Sequence, residues 1–149
     1  MLRIITVTIM AAAMLASPAQ AQSITTNLLR DFGFTGKWAP DCNAPPGPGN
    51  SLRTITVDPQ GFTRFKEELG KDFMPNEYLV LSARRIDPNR IEIRVEFAKR
   101  AMQDLTMVRE GNDRLRTFGN VNLDGTIIVQ DGLVLPANGR PTPWMNRCR

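Results

Sequence analysis

The chain has no histidine and only two cysteines in 149 residues. Without histidine it lacks the side chain most often used as a general base near neutral pH and the commonest zinc or copper ligand. Cys42 and Cys148 stand far apart, with no histidine to complete a set, so no metal and no cofactor is expected. A glycine-rich phosphate loop is missing too, because Gly47-Pro48-Gly49 lacks both a following lysine and a strand-to-helix setting. No basic run exceeds two residues, as in Arg84-Arg85 and Lys99-Arg100, and the net charge is only +4. That distribution offers no concentrated basic face for nucleic acid.

Ordinary nucleophiles and acid–base pairs are equally hard to find. Ser23, Ser51 and Ser82 sit in no recognisable motif. Glu67-Glu68 and Glu92/Glu96 could in principle form the carboxylate pair of a glycosidase, but they lie among alternating charges that read as solvated surface. Asp58, Asp87, Asp124 and Asp131 are turn residues, with no alternating-oxygen loop for calcium. We therefore expect a protein that is not an enzyme.

The first residues are organised as an export signal. Met1-Leu2-Arg3 is a short basic start, and Ile4 to Ala16 is apolar apart from Thr6 and Thr8. Ser17-Pro18 breaks the run before the small-x-small site Ala19-Gln20-Ala21. That order predicts a signal peptide over residues 1–21, cleaved before Gln22. Its apolar run, about 13 residues, is shorter than the roughly 20 needed to span a bilayer. Residues 22–149 are then a single soluble domain with a periplasmic or secreted location and no membrane span. In an oxidising compartment the two cysteines are expected to pair, Cys42 with Cys148. Closing a loop of about a hundred residues contributes about 4.7 kcal/mol in the chain-entropy treatment. A typical domain is stable by only about 5–15 kcal/mol, so the bond is expected to matter.

Within the domain the apolar pattern is mostly of period two. Thr25 or Thr26 could cap a short helix through Phe32, ended by Gly33, with Leu28, Leu29 and Phe32 covering the body; an extended leader is the alternative. Strands are predicted at Phe34–Ala39 and Leu52–Val57. Asp58-Pro59-Gln60-Gly61 turns the second into a partner, setting Val57 opposite Thr63 and Ile55 opposite Phe65. Residues 66–77 lose the alternation and suggest a short helical turn or a packed loop. Tyr78–Ile86 and Arg90–Phe97 are strands about Asp87-Pro88-Asn89. A three- or five-residue loop is predicted there, because it puts Leu79, Leu81 and Ala83 on the face of Ile91, Ile93, Val95 and Phe97. Lys99-Arg100-Ala101 connects to Asp104–Arg109, in which Leu105 and Met107 point inward. Arg114–Asn120 follows with Leu115 or Phe118 on the core side. Thr126–Gln130 and Leu133–Leu135 precede an extended, proline-rich tail.

About eight short strands joined by tight turns make an all-β antiparallel meander, which is expected to close into a small barrel and so remove its exposed edges; a two-sheet sandwich is the alternative. The two tryptophans flank this body, each near a cysteine. Trp38 and Trp144 either close the barrel's end or line a ligand mouth.

Gly36-x-Trp38 on the first strand resembles the opening of lipocalin-type proteins, whose tryptophan closes the barrel floor. A longer pattern is similar to that of small exported proteins of Gram-negative bacteria. It comprises Gly36-x-Trp38-x-x-Asp41-Cys42 followed by Pro45-Pro46, then Asp131-Gly132, Thr142-Pro143-Trp144 and the terminal Cys148. The resemblance implies an eight-stranded lipocalin-like barrel and supplies no catalytic residues. Two functions fit these readings. One is a monomeric binding module for a small apolar ligand or an envelope partner. The other is an inhibitor of a cell-wall hydrolase or peptidase, using the rigid Cys42–Asn50 loop.

Overall fold

The computed structural model describes residues 18–97 and 101–149. Most of the predicted signal peptide, residues 1–17, and the Lys99-Arg100 connection lie outside the described residues.

Helix α1 (Pro18–Asp31) packs across one end of the sheet. Thr25 and Thr26 lie inside it and are buried, so neither is its cap. The Thr26 hydroxyl instead donates to the Gly61 carbonyl at 2.7 Å, tying the helix to the turn at Asp58–Gly61. The helix ends at Gly33, which has φ +77° and so tolerates no ordinary side chain without strain. There Gly33 N–H donates to Arg30 O and Phe34 N–H to Leu29 O. This is a Schellman end, and its apolar pair, Leu29 and Phe34, is fully buried. Phe34 is thereby used as part of the helix stop, and the first strand begins later than the alternation suggested.

Among the described residues, eleven strands follow in one sheet: β1 (Gly36–Ala39), β2 (Leu52–Val57), β3 (Thr63–Glu68), β4 (Asn76–Asp87), β5 (Arg90–Phe97), β6 (Ala101–Glu110), β7 (Arg114–Asn122), β8 (Ile127–Gln130), β9 (Leu133–Val134), β10 (Arg140–Pro141) and β11 (Met145–Cys148). A 3-10 turn, Leu135–Ala137, separates β9 from β10. Strands β1 to β7 and β11 form a closed, eight-stranded antiparallel barrel. The tail expected to be merely extended thus contributes a stave, since β11 pairs with β7 on one side and β1 on the other. β8 to β10 leave the barrel as a flap. β7 therefore divides one edge, binding β11 near Leu115 and β8 near Asn120.

The β2–β3 hairpin has the expected register, with Val57 opposite Thr63 and Ile55 opposite Phe65. Asp58 Oδ1 accepts from the N–H groups of Gln60 and Phe62, while Arg64 holds Oδ2. β3 continues to Glu68, and residues 69–75 form a loop, so of the two conformations expected within 66–77 the loop is the one present.

The β4–β5 hairpin departs further. Asp87 pairs with Arg90, leaving a two-residue loop instead of an odd one. Irregularities between Val80 and Ser82 and between Arg85 and Asp87 change the parity. Tyr78, Val80, Ala83 and Arg85 consequently stand opposite the inward residues of β5, and Leu79 pairs with outward Glu96. A bulge inserts one unpaired residue and flips every side chain beyond it, which alternation alone does not reveal. Arg84 and Glu92 both point outward and meet at 2.9 Å.

Leu105, Met107 and Leu115 face the interior. Opposite Thr106/Met107 the β7 register jumps from Gly119 to Thr117, and Phe118 is the extra residue. The closed half of the barrel is filled by apolar side chains, including Trp38, Ile55, Ile91, Ile93, Met107 and Met145, with Leu29, Phe32 and Phe34 sealing its floor. Cys42 and Cys148 form the expected disulfide, Cα–Cα 5.3 Å.

Candidate functional site

The barrel interior changes character above this apolar layer. On β2, Arg53 lies two residues before buried Ile55 and shares its inward face; on β3, Glu67 lies two residues after buried Phe65 and shares its inward face. The hairpin register places Arg53 and Glu67 directly opposite each other. Arg53 Nε donates to Glu67 Oε1 at 2.7 Å, with the side chains only 19% and 13% exposed. Arg53 Nη1 also donates to Thr117 Oγ1 at 3.1 Å across the barrel. Burial pushes the Glu67 carboxyl upward, but the Arg53 charge and hydrogen bonds from Arg53, Asn76 and Ser51 outweigh it, so the acid stays below its ordinary range.

Tyr78 forms the adjoining wall. Its ring stacks on Phe65 at 4.0 Å and on Phe97 at 5.1 Å. Burial, followed by the nearby Glu67 charge, pushes its phenol up to about 12. Opposite, the β7 bulge sets Asn120 across from inward Leu105. The Asn120 Oδ1 atom is buried without a hydrogen-bond partner. Higher still, Gln103 Nε2 donates to Asn122 Oδ1 at 3.0 Å.

These groups surround a cavity of about 300 Å³ at the barrel mouth, rimmed by Pro48, Leu69, Val129, Val134 and Pro143. The flap supplies part of that rim because Thr142 is anchored, its hydroxyl donating to Thr117 O at 2.6 Å. Chemically the site can bind, orient and exclude water. Glu67 is held ionised and the Tyr78 phenol is held protonated near neutral pH, so neither is poised to exchange a proton there.

No family model, curated protein or solved structure matches the chain.

The residues singled out in the sequence lie elsewhere. Trp38 is buried in the closed half, where its indole N–H donates to Phe34 O at 3.0 Å. Arg147 covers its ring, with Cζ 4.3 Å from the centroid. Trp144 lies between two outward arginines, Arg114 at 4.7 Å and Arg116 at 4.9 Å. Neither tryptophan lines the mouth cavity. Glu67 and Glu68 point to opposite sides of β3, and Glu68 pairs outside with Lys66 at 3.1 Å, so they form no carboxylate dyad. Among the described residues, no group of three or more His, Cys, Asp or Glu could hold a metal ion. No described helix is long and apolar enough to cross a membrane.

A second concavity lies outside the barrel, between the proline loop and residues 68–75. This apolar groove of about 560 Å³ is walled by Pro45, Pro46, Pro48, Leu69, Phe73 and Pro75. The loop is held from within by Asn50. Its Nδ2 donates to the carbonyls of Asp41, Ala44 and Pro45, and its Oδ1 accepts from Asp41 N–H.

Sequence reasoning missed the Arg53–Glu67 pair because β3 was ended too early. Continuing the alternation Thr63, Phe65, Glu67 and carrying the hairpin register upward would have found it. Asn120 had no such signal, because a bulge determines the way it faces.

Proposed function

We propose that this protein is a non-catalytic binding barrel of the periplasm or extracellular medium, and that the mouth cavity takes a small ligand. The observation that carries this reading is the abrupt change from a filled apolar floor to a cavity walled by a buried ion pair, a phenol and an amide. A barrel needing only stability would be served as well by apolar residues of similar volume at Arg53 and Glu67. The cavity lies at the small end of the range common for ligand sites. Its polar walls favour a polar ligand over the apolar one suggested by barrel architecture. Export is supported by the N-terminal charge, apolar and small-residue pattern and by the disulfide.

The test is a thermal-shift screen of a small-molecule library against the wild type and Val134→Trp, which fills the rim. Ligands that stabilise the wild type and lose their effect in Val134→Trp are expected. If nothing stabilises the protein, or if shifts persist in the plugged variant, the mouth is not the site.

Inhibition of a cell-wall hydrolase or peptidase is a second reading, favoured by the Asn50 lock and by the side chains beside the loop. Phe73 is 51% exposed and Met74 is 88% exposed, and Phe73 shares the groove with Leu69 and four prolines as well as Glu68, Lys71 and Asp72. A rigid apolar edge loses little entropy on docking. Tight inhibition of lysozyme or a peptidase by the wild type, weakened in Asn50→Ala, would establish it; equal activity of the enzymes with and without the protein would dismiss it.

A further inference from the structure

We infer that Gln22 is a modification site, its amide closing on the new chain end to an N-terminal pyroglutamate after export. This inference rests on the reading of the protein as exported with cleavage before Gln22, and adds the chemistry of the end so created.

Helix α1 runs from Pro18 to Asp31, so the expected cleavage falls within its beginning. What ties the helix down lies beyond that point. Thr25, Thr26, Leu29 and Phe32 are buried, whereas Ser23 and Ile24 are exposed. The Thr26 hydroxyl keeps its bond to Gly61 O whatever precedes Gln22. In an α-helix the Gln22 N–H is bonded to the carbonyl four residues back, which belongs to Pro18. Once Pro18 is gone that nitrogen is an α-amino group with no intrahelical partner.

Glutamine carries the electrophile for such an amine on its own side chain. Its amide carbon, Cδ, stands where attack by the α-nitrogen closes a five-membered ring, and both groups belong to one residue. Amino termini titrate near neutral pH, so part of the population is the nucleophilic free base. The nitrogen attacks Cδ and a new C–N bond forms. The Cδ–Nε2 bond breaks, the proton shed by the attacking nitrogen passes to Nε2, and ammonia leaves. No oxidant, cofactor or second substrate enters the balance.

The fold accommodates the product. Gln22 is half-buried, and its Nε2 donates to Val80 O at 3.4 Å, longer than an ordinary N–H···O bond. Ring closure gives up only that contact, and the lactam N–H remains as a donor. A positive charge disappears as well. An ammonium at the start of α1 opposes the positive end of the helix dipole, whereas the lactam is neutral. Gln22 also borders an outer groove with Val57, Phe62 and Leu81, where an uncharged ring is better placed than an ammonium.

The experiment expresses the full chain with its own leader in a Gram-negative host and recovers it from the periplasm. Intact mass is compared with that of residues 22–149 carrying the disulfide, and fragmentation of the tryptic peptide Gln22–Arg30 locates any change. The wild type should be lighter by one ammonia, lost from Gln22, and should resist an aminopeptidase. Gln22→Ala should show no such loss and should be trimmed towards buried Thr25. A chain that starts at Gln22 and keeps its ammonia through prolonged incubation at pH 7 would overturn cyclisation and leave the export reading intact. Ammonia lost from Asn27, or lost equally in Gln22→Ala, would overturn the role of Gln22. A chain that retains residues 1–21, or begins elsewhere, would overturn the cleavage site and this inference with it.

Discussion

Arg147, on the last strand, covers Trp38, on the first, with its guanidinium carbon 4.3 Å from the indole centroid. The same guanidinium donates to Thr35 O at 2.8 Å, to Asn112 O at 3.2 Å and to Gly33 O. One side chain thus joins the helix stop, the strand that begins the barrel, the β6–β7 turn and the strand that closes it. Gly36 is required beside it. Its φ is +126°, and a Cβ there would lie 2.9 Å from Arg147 Nη1.

Removing Arg147 should therefore open the barrel seam. Arg147→Ala leaves several carbonyls short of a donor and strips the indole of its cover, an expected loss of about 3 kcal/mol. Arg147→Lys should recover only part, because an ammonium cannot present the planar fork. Urea unfolding of the three proteins checks the order; equal midpoints for wild type and Arg147→Ala would refute it.

The disulfide joins β11 to the loop after β1, elements already adjacent through the Lys37–Cys148 pairing. Its effect then falls mainly on the unfolded chain, whose loop of about a hundred residues it closes. Reduction, or Cys148→Ser, should cost about 2–5 kcal/mol. Comparing urea midpoints with and without a thiol reductant measures this directly, and an unchanged midpoint would show the bond dispensable.

Phe32 fills the floor beneath Arg85 and Arg109, whose guanidinium carbons lie 5.8 and 5.0 Å from its ring. Arg109 also donates to Phe32 O at the helix end, where a cation opposes the dipole favourably. Phe32→Ala should cost about 3–5 kcal/mol through the cavity it leaves. The NMR signals of Asn120 and Gln103, at the opposite end, should be unmoved if floor and mouth are separate layers.

Acid should unfold the protein through its paired carboxylates. Asp87 is held low chiefly by the Arg90 hydrogen bond, Asp104 by Arg94 and Asp58 by Arg64. Each folded value lies below the unfolded one, so the stabilisation is present above the ordinary carboxylate range, about pH 4. It is lost as pH falls through the depressed folded values. The urea midpoint should be flat from about pH 7 to 5 and fall below about pH 4, and less steeply in Asp104→Asn.

The single tyrosine gives a matching alkaline test. Tyr78 is raised from 10.0 to about 12 in the folded protein. Its contribution is whole below the unfolded value and disappears as pH rises through the folded one. Phenolate absorbance in the native protein should therefore titrate near 12, and a midpoint near 10 would place the ring in water.

Local chemistry was legible wherever neighbouring residues alone decide the conformation. Asp58-Pro59-Gln60-Gly61 specifies its turn because a carboxylate, a fixed φ and a glycine act within four positions, and the hairpin register follows. The unbroken alternation from Ile91 to Phe97 marks a strand with one buried face. Two cysteines far apart in a chain without histidine point to a disulfide, and that pairing is present between Cys42 and Cys148. Parity around Leu79 and Leu81 was not legible, since a bulge costs one residue and leaves no trace in composition. Nor was the use of Met145–Cys148 as a stave, or of Arg147 as the clasp over Trp38, because both depend on the tail returning between β7 and β1. The mouth belongs to the same class. Arg53, Glu67, Tyr78 and Asn120 come from four strands, and only closure of the sheet turns four unremarkable polar residues inward around one cavity.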